Sequence, residues 1–133
     1  MSTMAQDVTA TRSLYERLGG RASITMLVDE IIEEHMRNPR IAARFLPYRE
    51  QPERLAEVKG HLVDFFVSGS GGPGEYRGRS MPEAHRGLNI SEAEYMAAVD
   101  DILTVLDRHS TDEQTRKDVL AIAFSLKNDI MHV

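Results

Sequence analysis

Five histidines and no cysteine define the metal and proton chemistry open to this 133-residue chain. The lack of thiols removes disulfides, thiolate zinc sites and iron–sulfur ligation. Two histidines stand apart. His61 falls three residues after Val58 and four before Phe65, on the apolar side of a helical stripe, and Gly60 beside it leaves room for a bulky group. His85 follows a long glycine-rich stretch. A bare zinc ion asks for three or four protein ligands, and no HExxH or similar spacing supplies them. Two histidines converging on an apolar interior suit a metal already held in an organic ring. Haem brings four nitrogens of its own and needs only axial ligands from the protein. A histidine on an apolar helix face also serves simply as a core or edge residue, which is the reading for His35. His109 and His132 lie near helix ends, where surface positions are the default.

No other catalytic pattern competes. The chain has no GxSxG, no P-loop and no GxGxxG after a strand. The glycine cluster Gly69 to Gly74 lacks the Lys-Ser/Thr pair of a phosphate loop. The acidic pairs Glu33-Glu34 and Asp100-Asp101 read as solvated helix faces.

The elements that must position the histidines follow from apolar periodicity and punctuation. Ser13 with Glu16 forms a capping box that opens a short helix, and Gly19-Gly20 stops it. Ile24, Leu27, Val28, Ile31 and Ile32 repeat at helical spacing, predicting a helix over Arg21 to Arg37 that Asn38-Pro39 ends. A turn from Pro39 to Arg44 leads to Phe45. Pro52 suits the first turn of the next helix, whose inward face is Leu55, Val58, Leu62, Phe65 and Phe66. From Ser68 to Ala84 the chain reads as an irregular loop, followed by a short Pro82-started turn carrying His85. Loops this long in a small domain are usually functional or disordered. Ser91 with Glu94 caps a helix with Tyr95, Ala98, Val99, Ile102, Val105 and Leu106 inward. Thr111 with Gln114 opens the last helix, with Val119, Ile122, Ala123, Leu126 and Ile130 inward. Nothing alternates strongly at period two, so the fold class is all-α.

Composition bounds the rest. The length supports one domain, with residues 1–12 as a flexible N-terminal tail and 13–133 as the folded unit. Hydrophobic residues make up 41% of the chain, enough for a packed core. No apolar run is long enough for a membrane span, and the N-terminus lacks a secretory pattern. With the missing cysteines this points to the cytoplasm. A formal net charge of −5 without a Lys/Arg block excludes a general nucleic-acid surface.

The stretch Leu14-Tyr15-Glu16-Arg17-Leu18-Gly19-Gly20 resembles the opening of the truncated haemoglobins. The combination Phe65-Phe66, Gly71-Gly72-Pro73, Tyr76, Gly78, Met81, Ala84-His85 and Gly87-Leu88 is similar to their group I branch, including its bis-histidine cyanobacterial members. The resemblance covers about residues 13–131. It implies a globin-like two-over-two helical sandwich around noncovalent haem b and its iron, with His85 as the proximal ligand. It places Phe45 on the haem face, and Met81, Ile90 and Tyr95 along the haem; Tyr76 would reach a propionate or pack the loop.

The departures from the family pattern carry the functional expectations. Group I proteins commonly place a tyrosine on the second helix where this chain has Ile32, and polar residues where it has Val58 and Leu62. These three distal positions offer no hydrogen-bond donor to bound dioxygen, which puts tight oxygen binding and efficient nitric-oxide dioxygenation in doubt. His61 aligns with the histidine that binds iron from the distal side in some cyanobacterial members, implying coordination by both His61 and His85. Lys127 aligns with a histidine that some of them bond to haem, so the haem is expected to be noncovalent. The first functional reading is binding of diatomic ligands (O2, NO, CO). The alternatives are a nitric-oxide dioxygenase, nitrite reductase or weak peroxidase needing an external electron donor, and an electron-transfer haem protein. The expected state is a monomer or weak dimer.

Overall fold

The computed structural model describes residues 12–74, 76 and 78–133. Apart from Arg12, the expected N-terminal tail lies outside them. Helix α1, Leu14–Arg17, begins as the capping box predicts, with the Ser13 hydroxyl accepting from the Glu16 N–H at 3.1 Å. Gly19 then turns the chain at φ +94°, a conformation that favours glycine. Helix α2, Gly20–Arg37, is the central beam. It buries Ile24, Leu27, Val28, Ile31 and Ile32, the predicted stripe, and adds His35 and Met36.

Helix α3, Ala42–Phe45, replaces the second half of the simple turn expected before Phe45, and a 3₁₀ turn over Leu46–Glu50 follows it. Helix α4 runs Pro52–Gly69, α5 Met81–His85, α6 Glu92–Arg108, α7 Glu113–Ser125 and α8 Lys127–Ile130. The loop after α4 is therefore shorter than expected at both ends. At its far end, Ser80 caps α5 by accepting from the Glu83 N–H at 3.3 Å. At its near end Gly72 tolerates no side chain, because a Cβ there would run into the Tyr15 ring and Val67.

Among the described residues α2 packs against both α4 and α6, while α4 and α6 do not pack closely on each other, and α5 leans on α8. The core cluster joins the α2 stripe to Val63 and Val67 of α4, Val105 and Leu106 of α6 and Val119 of α7. All five inward side chains predicted for α4 (Leu55, Val58, Leu62, Phe65, Phe66) are only half-buried, and the fully buried ones are Val63 and Val67, which the predicted stripe left out. The packing of α2 on both α4 and α6 is that of a two-over-two helical sandwich, and the half-buried side chains of α4 leave an apolar face incompletely covered by protein.

Two readings need correction. Asp101 is not on a solvated face: it is 7% exposed and faces α2, since it shares a stripe with Ala97 and Val105. The last long helix is capped by Asp112 and not by Thr111. An Asp carboxylate has two oxygens, and here one accepts from the Thr115 N–H at 3.0 Å and the other from its hydroxyl at 2.7 Å. Thr115, which the apolar pattern passed over, is fully buried as a result.

Candidate functional site

His85 is the last residue of α5 and is half-buried. Its Nδ1 lies 2.8 Å from the Met81 carbonyl oxygen. A carbonyl only accepts, so Nδ1 carries the proton and Nε2 is left with its lone pair. In metalloproteins a hydrogen bond of this kind fixes the tautomer and ring orientation of a ligating imidazole. The segment after it is held from behind by the chain's last residues. The Gly87 and Asn89 N–H groups donate to the Val133 carbonyl at 3.0 and 3.2 Å, and the His132 N–H donates to the Ile90 carbonyl at 3.0 Å. Ile90 pairs with Met131 in an isolated parallel bridge.

Arg44, at the C-terminal end of α3, ties the opposite wall to the same segment. It pairs with Glu94 of α6 and donates to the Leu88 carbonyl at 3.0 Å. The Arg44 guanidinium, with help from the Ser91 N–H, holds the Glu94 carboxyl down to about 2. Its neighbour Phe45 packs against the core, with its ring centroid 4.8 Å from that of His35.

The other site candidates divide by position. Leu62 and Phe45 pack on the core edge; Val58, Met81 and Ile90 are half-buried; Tyr95 is buried, and burial pushes its phenol up. Ile32 is 1% exposed within the core. Tyr76 packs within its loop: its ring meets Phe65 edge-on at 5.4 Å and its hydroxyl donates to the Arg79 carbonyl at 2.7 Å. His61 lies on α4 with its side chain 52% exposed, and its nearest acid is Glu57 at 3.8 Å, beyond hydrogen-bond range. Apart from its chain neighbours and the backbone of its own helix, no atom of the described residues comes within 4 Å of where a Gly60 Cβ would stand.

The residues fit haem. One imidazole has an aimed lone pair. The other residues expected along the macrocycle, Phe45, Val58, Leu62, Met81 and Ile90, are aromatic or aliphatic and half-buried, the chemistry that an apolar plane calls for. Among the described residues no cluster of three or more His, Asp or Glu could hold a bare metal ion.

Comparison with known proteins decides the family. The bacterial-like globin family model matches residues 13–132. The chain belongs to that family. It is 29% identical over 115 residues to the group 1 truncated haemoglobin GlbN of Synechocystis, covering 84% of this chain and 89% of the relative. The truncated haemoglobin of Tetrahymena pyriformis in its Fe(III) form superposes with a TM-score of 0.82 at 20% identity, covering 92% of this chain and all of that one. The two-over-two haemoglobin of a Synechococcus species, in its cyanomet state with covalently attached haem, gives a TM-score of 0.81 at 24% identity, with 90% and 98% covered. These structures establish the fold as the truncated globin sandwich. Globins of this family bind haem b and its iron, as a rule noncovalently, and take diatomic gases. Among the described residues no helix is long and apolar enough to cross a membrane.

Sequence reading missed the polar group joining His35, Asp101 and Asn38. Its signal was present: a histidine and an aspartate each on the buried stripe of a helix that packs on the other.

Proposed function

We propose that this globin binds diatomic gases on haem b held by His85 as the proximal ligand, with His61 as a displaceable ligand on the distal side. One observation carries the proximal assignment: the His85 Nδ1–H is committed to the Met81 carbonyl at 2.8 Å, so Nε2 is the free donor. When bound, haem iron supplies an open coordination position for O2, NO or CO and a one-electron redox change.

The chain's own residues set what that position can do. Phe45, Met81, Ile90, Tyr95, Val58 and Leu62 enclose the plane with apolar and aromatic surface and exclude water. Ile32, Val58 and Leu62 carry no donor, so a polarised ligand gains no hydrogen bond from them. Tyr76 orders the loop beside the haem edge. Lys127, 3.7 Å from Glu92, takes the place of the histidine used for covalent attachment, which favours noncovalent haem. His61 is held by no hydrogen bond among the described residues, so its ring can turn inward at the cost of a rotamer change. An external ligand must then displace it, and apparent affinity falls with the fraction of molecules that are open. The donor-free distal side ranks binding ahead of nitric-oxide dioxygenase or nitrite reductase chemistry, which would need an external electron donor. The absence of cysteine suits a reducing cytoplasm.

Absorption spectra of the ferric and ferrous haem protein without added ligand, beside His61→Ala, test the distal assignment. Sharp low-spin bands in the wild type that vanish in the variant are expected. High-spin spectra in both would reject His61 as a ligand while leaving His85 in place.

A further inference from the structure

Beneath Phe45 lies a buried polar group that gas binding does not use. His35 of α2 is 6% exposed and Asp101 of α6 is 7% exposed, and Nδ1 of the one lies 2.7 Å from Oδ2 of the other. The second carboxylate oxygen accepts from Asn38 Nδ2 at 3.0 Å. Asn38 in turn accepts from the Arg40 backbone N–H at 3.1 Å, at the start of the turn into α3. The Phe45 ring rests on the imidazole with planes tilted by 36°.

A buried carboxylate is costly, and an apolar pair of similar volume often holds such a place at least as stably. Packing alone therefore does not call for this pair. What it adds is direction. A hydrogen bond to a carboxylate that Asn38 also holds fixes the plane of the imidazole, and that plane is the surface on which Phe45 lies. An aliphatic side chain would leave the Phe45 ring a choice of rotamers. Burial lowers the proton affinity of His35, and Asp101 and Glu34 offset this only in part, which favours the neutral ring with Nδ1–H donated to the carboxylate. From α3 it meets uncharged Phe45, and the neighbouring Arg44 is engaged with Glu94.

We propose that His35, aimed by Asp101, is a positioning residue that sets the plane and depth of Phe45 against the bound macrocycle. The proposal rests on the haem-binding reading and on Phe45 facing the haem. It makes haem retention depend on a hydrogen bond that touches neither haem nor ligand.

The ferrous carbon monoxide form of the haem protein is diamagnetic, and the macrocycle's ring current shifts the Phe45 ring protons steeply with distance. Nuclear magnetic resonance of that form reads the geometry, and haem transfer to an excess of a haem-scavenging apoprotein reads retention. Asp101→Asn keeps the shape, and the neutral imidazole can switch tautomer and accept from the new amide. Its Phe45 shifts are expected to stay near wild type. The double variant His35→Leu with Asp101→Leu removes both polar groups together, keeps apolar volume and leaves no buried charge to prevent folding. It is expected to move the Phe45 shifts and to lose haem about fivefold faster, the size of one displaced aromatic contact. Haem bound by every variant with unmoved Phe45 shifts and unchanged haem loss would overturn the positioning role alone. A wild type that takes up no haem would overturn the haem reading and this inference with it.

Discussion

At the scale of single residues, the site is defined as much by what is absent as by what is present. At His85 the sequence signal was a histidine after a glycine-rich loop, the proximal role came from the resemblance, and the hydrogen bond to Met81 adds the tautomer that no spacing could give. Ile32 was legible only as core, and at 1% exposed it is core; its functional meaning comes from the tyrosine it stands in for. Ile32→Tyr should return a donor to the distal side. The expected gain is about 1 kcal/mol, or about fivefold slower oxygen dissociation, measured by stopped flow. Overpacking a full core should cost about 1–3 kcal/mol of stability in the same variant. Unchanged or faster dissociation in a folded variant would mean that position 32 does not face the ligand. The His35–Asp101 pair escaped sequence reading because single charged residues on a helix are solvated far more often than buried.

At the scale of elements, capping and pairing decide where each wall of the site stands. The Ser91–Glu94 box was legible, and both halves of it are formed at the start of α6. What it could not reveal is that Glu94 also grips Arg44 from α3, so one carboxylate joins the start of α6 to the short helix that carries Phe45. That carboxyl sits well below its ordinary 4.5, held down to about 2. A depressed acid stabilises the folded state above its unfolded value, and the contribution is lost as pH falls from 4.5 toward 2. Thermal melts across that window should show a shallower acid loss for Glu94→Gln than for the wild type. Equal slopes would mean the pair adds nothing to stability. The last residues were the least legible part: His132 was read only as a surface residue near a helix end, yet the backbone of Met131, His132 and Val133 holds the segment that follows His85. Backbone pairing of that kind leaves no mark in residue type.

At the scale of the whole molecule, the all-α fold followed from apolar periodicity, but the sandwich did not, because periodicity gives faces and not their partners. The arrangement itself came from resemblance and then from the packing of α2 against both α4 and α6. Helices α4 and α5 keep half-buried apolar side chains, and members of the family bind a flat apolar group, haem. The most direct measurement is a haem titration of the haem-free protein, followed by absorption, for the wild type beside His85→Gly. The account predicts stoichiometric uptake with a histidine-ligated spectrum in the wild type, loss of that spectrum in the variant, and its return when imidazole is added. A variant that keeps the wild-type spectrum and haem affinity without imidazole would contradict it, because the iron would then be held by some other residue.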